Sequence, residues 1–210
     1  MITVIQPDPK VTLDRFANWL EEDYEVVPPT PRLEDCGDKI IVLGGTMNAV
    51  AGEEWLPAMR ELLVRAVHAN IPVLGICLGH QILATAFGGE VAVGTVKEDG
   101  AFEVRATPAG RDDPLLRVMG EKSMVAESHN DGVVTLPEDA VLLASSDTCI
   151  QAFRIGSAVG VQFHPEVSPA TMGEWATWTG HDREEMQARM EGVDKQVASF
   201  GRALAQEFSR

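Results

Sequence analysis

Val73-Leu74-Gly75-Ile76-Cys77-Leu78-Gly79-His80-Gln81 is the stretch on which the fold turns. Its first four residues contain no polar side chain, so the strand they form is buried on both faces, as in a parallel sheet covered by helices. The chain then passes through Gly-x-Cys-x-Gly into a helix expected to run over 81–87. A sharp strand-to-helix turn of this kind lifts a nucleophile above the sheet. Glycines two residues to either side remove side chains that would collide in so tight a turn. The Cys77 sulfur then faces the positive end of the following helix, and the Leu78 N–H points toward a substrate oxyanion. The same letters also fit a buried cysteine whose glycines only serve helix–strand packing.

Strand and helix signals alternate around this turn. Upstream lie apolar strand runs at 2–5, 24–27 and 39–43, and helical spacing over 12–21 and 53–69. Downstream the pattern changes. Segments 90–96 and 101–107 flank Lys97-Glu98-Asp99-Gly100 and read as a hairpin, followed by short strands at 124–126, 141–145, 150–154 and 158–163. The C-terminal segment reads as one long amphipathic helix. Asp182 and Glu185 cap it, and Met186, Met190, Val193, Val197, Phe200, Leu204 and Phe208 form one stripe along it. The expectation is an α/β fold over 1–210 as a single domain: a mostly parallel sheet, helices on both faces, and small antiparallel additions.

The 210 residues carry 32 acidic and 17 basic side chains, a net charge of −15, with 45% hydrophobic residues. So negative a surface repels phosphate backbones and anionic lipid, so neither nucleic acid nor membrane is an expected partner. No run approaches the roughly 20 apolar residues of a membrane span. Cys36, Cys77 and Cys149 are odd in number and far apart, which argues against a disulfide framework and a zinc site; a reducing cytoplasm fits free thiols.

A second segment supplies a partner for Cys77. Gly160-Val161-Gln162-Phe163-His164-Pro165-Glu166 ends an apolar strand on His-Pro-Glu. His164 can serve as general base toward Cys77, and Glu166 can fix its tautomer. Pro165 stops the strand, so His164 belongs at the strand's end, where open α/β sheets build their sites. His80 follows Cys77 by about one helical turn; it reads as a helix residue rather than a second base.

Together the two segments resemble the class I (triad) glutamine amidotransferases, in particular their GMP-synthase-like branch. Leu43-Gly44-Gly45 is similar to that family's oxyanion loop, and Ile150-Gln151-Ala152-Phe153 to the strand before its histidine. Ser128-His129-Asn130-Asp131 is similar to a loop usually written Ser-His-Gly-Asp. The resemblance implies a flavodoxin-like fold and a glutaminase reaction without cofactor or metal. Cys77, His164 and Glu166 would form the triad, and the Gly45 and Leu78 N–H groups the oxyanion hole. Gln81, Ser128, His129, Asn130 and Asp131 would hold the substrate. The resemblance further implies a separate synthetase partner that receives the ammonia, and low basal activity until it docks. The Gly44–Gly45 pair would allow a peptide flip as the lever, against a fixed loop whose glycines merely admit substrate. A stand-alone γ-glutamyl hydrolase acting on other γ-glutamyl amides is the runner-up, and a non-catalytic relative the third reading. Two departures border the pocket: Thr46-Met47-Asn48 after the glycines, and Asn130 where glycine is usual, a residue that tolerates positive φ.

Overall fold

The computed structural model describes residues 1–29 and 31–210. In chain order the elements are β1 Ile2–Ile5, α1 Phe16–Trp19, β2 Tyr24–Val27, β3 Lys39–Val42, α2 Leu56–His68, β4 Val73–Ile76 and α3 Leu78–Ala86. There follow β5 Glu90–Ala92, β6 Glu98–Ala106, α4 Pro108–Asp112, β7 Lys122–His129, β8 Gly132–Thr135, β9 Val141–Ser145, β10 Ile150–Ile155 and β11 Ala158–Val161. Helices α5 Pro169–Trp178, α6 Arg183–Glu191 and α7 Asp194–Ser209 close the chain.

The main sheet runs β2-β1-β3-β4-β11-β10-β9-β6-β7. Pairing is parallel from β2 to β11 and antiparallel from β11 onward. The two-residue period of a strand sorts its side chains to the two faces. Ile40 and Val42 pack on one face with Leu56, Leu63 and Ile82 of α2 and α3. Ile41, Leu74, Ile76, Val159 and Val161 pack on the other with Phe16 of α1 and Phe200, Leu204 and Phe208 of α7. Each central strand is therefore apolar throughout because both of its faces are covered. β4 lies between β3 and β11, so its C-terminal end, where Cys77 stands, is flanked by the loops after both neighbours.

Several expectations need correction. The helix expected over 12–21 shrinks to Phe16–Trp19, because Asp14 adopts φ +39 and turns the chain just before it. Leu13 and Phe16 are buried as the spacing required. No hairpin forms at 97–100. Instead β6 begins there and pairs with β7 and β9, while β5 pairs with β8 in a separate two-stranded sheet. Period-2 signals locate strands but do not choose their partners. The C-terminal stripe is divided between two helices that pack in two places. Met186 and Met190 of α6 join Trp175 of α5, whereas Phe200, Leu204 and Phe208 of α7 pack under the main sheet. Asp182 does cap α6, accepting from the Glu185 N–H at 2.8 Å. Cys36 and Cys149 are partly exposed, whereas Cys77 is buried. No helix among the described residues is long and apolar enough to cross a membrane.

Candidate active site

Cys77 sits between β4 and α3 at φ +50, ψ −101, a region closed to most L-residues. Such strain survives only where the surroundings over-determine it. Here they do: the Cys77 N–H is held by the Val161 carbonyl of β11 at 2.8 Å. A Cβ on Gly75 would lie 2.7 Å from the Gly79 carbonyl, and one on Gly79 would lie 2.3 Å from the Val42 carbonyl oxygen. The turn closes only with glycine at both positions.

His164 arrives from the loop after β11, its backbone N–H bound to the Ala126 carbonyl of β7 at 2.8 Å. Its Nδ1 lies 2.7 Å from Glu166 Oε1, and both side chains are buried. The ring and the cysteine meet across Gly44: a Cβ there would lie 2.8 Å from His164 Cε1 and 3.6 Å from Cys77 Cβ. Burial opposes a charge on His164, but the Glu166 carboxylate and the Cys77 sulfur outweigh it and raise its pKa well above the usual histidine value. The three residues that sequence reasoning grouped are thus brought together.

The two residues expected to supply oxyanion donors, Gly45 and Leu78, both line the cavity beside Cys77. Among the described residues neither the Gly45 nor the Leu78 N–H has a hydrogen-bond acceptor in the protein. A Cβ on Gly45 would lie 2.8 Å from Leu78 Cδ2, so glycine serves close approach here. Asp8, which the sequence reading missed, anchors this loop: it accepts from the Thr46 N–H at 3.0 Å and from Thr46 Oγ1 at 2.5 Å.

The Ser128–Asp131 loop faces Cys77 across a cavity of about 400 Å³ that Gln81 and all four loop residues line. Gln81 Nε2 donates to the Asp131 carbonyl at 3.0 Å and to Gln162 Oε1 at 3.1 Å. Gln162, fully buried, turns its own Nε2 to the Cys77 sulfur at 3.6 Å. Its one sequence signal is a polar residue within the apolar run 158–163. Asn130 is not among the residues of positive φ, so no tolerance of that conformation is needed.

His129 holds the loop from beneath. Its Nδ1 lies 3.0 Å from the Val96 carbonyl and 2.9 Å from the Asp131 carbonyl; its Nε2 lies 3.1 Å from Glu98 and 3.3 Å from Glu127. With oxygen acceptors at both nitrogens, the ring fits doubly protonated. Burial works against this charge, but the two carboxylates prevail and raise its pKa to about 10. Burial raises that of Glu127. Glu98, His129 and Cys149 offer metal-ligand atoms within 4.8 Å of one another. Glu98 Oε2 already accepts from His129, from Gln151 at 2.6 Å and from the Cys149 thiol at 3.6 Å, which accounts for the grouping.

His80 is no second base. It is fully buried between Phe153, 4.9 Å away, and Gly160, and burial lowers its pKa to about 3. His181, at the surface, pairs with Asp99 at 3.1 Å. Sequence reasoning also missed α5, whose Trp175 ring lies 4.8 Å from the His164 ring at 71° and lines the cavity with Trp178. Lys10 rides over Trp178 at 5.7 Å. That exposed contact is worth about 0.5–1 kcal/mol, so the lysine is readily displaced.

A strained cysteine on a strand–helix turn, a buried His–Glu pair and two free N–H groups define a cysteine hydrolase built for acyl transfer from an amide. Similarity to known proteins narrows the class. The family model of glutamine amidotransferase class-I matches residues 12–176. The glutamine-hydrolyzing GMP synthase subunit of Methanosarcina barkeri is 40% identical over 169 residues, 77% of this chain and 84% of that protein. The protein of the same name from Methanosphaera stadtmanae is 34% identical over 167 residues, with the same shares. A glutamine amidotransferase from Thermotoga maritima superposes with a TM-score of 0.86 at 25% identity, covering 100% of this chain and 97% of that one. The chain belongs to the class I glutamine amidotransferase family, and it is an enzyme acting on the side-chain amide of glutamine.

Proposed function

We propose that Cys77, His164 and Glu166 are the catalytic triad, and that the chain is the glutaminase component of a two-subunit synthetase. The observation that carries the residue assignment is the buried 2.7 Å His164–Glu166 contact beside the strained Cys77. The Cys77 sulfur attacks the side-chain amide carbon. The developing oxyanion lies between the Gly45 and Leu78 N–H groups. His164, protonated and steadied by Glu166, gives its proton to the nitrogen as the C–N bond breaks and ammonia leaves. Water then attacks the γ-glutamyl thioester with His164 as base, releasing glutamate and restoring the thiol. Gln81 and the Ser128–Asp131 loop hold the amino-acid end of glutamine, and His129 fixes the loop rather than touching substrate.

The relatives named as glutamine-hydrolyzing GMP synthase subunits support delivery of the ammonia to a separate synthetase. The test is glutaminase activity of the purified chain with and without a GMP-synthase-type synthetase subunit, together with labelling by an electrophilic glutamine analogue. Incorporation at Cys77 alone is expected. Label shared with Cys36 and Cys149 would overturn the nucleophile assignment.

A further inference from the structure

The cavity above Cys77 exceeds what glutamine requires, and its ends differ in chemistry. Its 400 Å³ or so lies within the range of roughly 300–1,000 Å³ that holds drug-sized ligands. One end is polar, at Gln81 and the Ser128–Asp131 loop. The other borders the His164 ring, where Val11, Trp175 and Trp178 form an apolar wall beside the polar Asp99 and Thr179. A Cβ on Gly44 would lie 3.3 Å from Val11 Cγ1 and 2.8 Å from His164 Cε1, so Val11 flanks the ring on that side. The Trp175 ring lies 4.8 Å from His164, and Trp178 continues 5.9 Å beyond Trp175. Val11 and Trp175 are buried, whereas Trp178 is 42% exposed. An apolar track therefore leads from the general acid to solvent.

That track lies where the amine half of the scissile amide departs. His164 protonates the leaving nitrogen, so any substituent on that nitrogen extends along the His164 side. Glutamine's nitrogen carries only hydrogen, and ammonia gains nothing from tryptophan. An apolar wall matches carbon on the nitrogen instead. Trp178 also lies beyond residues 12–176, the stretch that the family model matches. The wall is braced from behind. Met186 and Met190 of α6 pack in one cluster with Trp175, and His181 ties the end of α5 to Asp99 at 3.1 Å.

We infer that Val11, Trp175 and Trp178 form a leaving-group subsite for γ-glutamyl amides that bear an aromatic group on the amide nitrogen. The inference rests on the proposed triad and extends its substrate range. The Cys77 sulfur bonds to the γ-glutamyl carbonyl carbon as the C–N bond breaks. The His164 proton passes to nitrogen, and the arylamine leaves. Water then cleaves the thioester to glutamate and free thiol.

The test compares γ-glutamyl anilide with glutamine on the 210-residue chain, wild type and Trp178→Ala. The half-exposed position of Trp178 spares the fold, and a thermal melt checks it. Wild type is expected to cleave both substrates. Trp178→Ala should lower the anilide-to-glutamine ratio of kcat/KM by about tenfold, the factor that about 1.4 kcal/mol of lost aromatic contact produces. Glutamine cleavage without anilide cleavage overturns the subsite and leaves the triad standing. So does an unchanged ratio in Trp178→Ala. Failure on both substrates, with Cys77 unlabelled by an electrophilic glutamine analogue, overturns subsite and triad together.

Discussion

Asp8 and Thr46 are joined twice, through the Thr46 N–H at 3.0 Å and its hydroxyl at 2.5 Å, and Asp8 also accepts from the Lys10 N–H at 2.9 Å. These bonds tie the segment after β1 to the Gly44–Met47 loop at Thr46, the residue after Gly45. They fix the Gly45–Thr46 peptide and so steady the loop that carries Gly45. Asp8→Ala should therefore lower glutaminase kcat by about 10- to 100-fold, short of the roughly 10²–10³ cost of losing a donor outright. Steady-state kinetics check it. An unaltered kcat would mean that the loop holds its shape without Asp8.

Cys77 stands at φ +50, ψ −101, which glycine alone adopts freely. Cys77→Ala and Cys77→Gly should both be inactive. They should differ in stability in the unusual direction, with glycine the more stable by about 1–3 kcal/mol, the size of such backbone strain. Denaturant melts of the two variants decide it; alanine melting later would show that the elbow is unstrained.

The Glu166 carboxylate helps raise the His164 pKa well above 6.5. On the proposed mechanism, the protonated ring that gives its proton to the departing nitrogen thus persists to higher pH than an ordinary histidine would, and the alkaline limb of kcat/KM should lie well above 6.5. Glu166→Gln removes that charge, so the limb should move to lower pH. His164→Ala should cost more activity than Glu166→Gln, since an orienting group can be lost while the base remains. A pH profile that Glu166→Gln leaves in place would remove the carboxylate from the triad.

His129 carries a charge between Glu98 and Glu127, and its pKa rises from 6.5 to about 10. A raised value stabilises the fold fully below pH 6.5, and the contribution is lost as pH climbs toward about 10. Melting temperature should fall across that window in wild type and less so in His129→Gln. The variant itself should lose about 3–5 kcal/mol, as when one partner of a buried ion pair is removed. Its KM for glutamine should rise more than its kcat falls if the loop it holds binds substrate as proposed. A melting temperature independent of pH across the window would mean that His129 is neutral in the fold.

The elbow and the His-Pro-Glu turn are legible in sequence because each is local. Tight turns demand glycine at fixed offsets from Cys77, and a strand buried on both faces favours apolar residues at successive positions. Gly75, Gly79, His164 and Glu166 announce themselves for those reasons. Asp8, Gln162 and Trp175 do not. Each acts on a residue far away in the chain, and each has an ordinary use where it stands: a turn carboxylate, a strand amide, an apolar helix residue. Strand partners were hidden likewise. The period of 90–107 marks strands, but the pairing of β6 with β7 and of β5 with β8 follows from what lies alongside in space. The sequence alone determined the strand–helix elbow at Cys77, the His-Pro-Glu turn and the parallel half of the sheet, because short-range sterics and face-by-face burial dictate them. The loop anchors, the buried ion cage around His129 and the tryptophan wall were decided by tertiary packing, which sets side chains distant in sequence against one another.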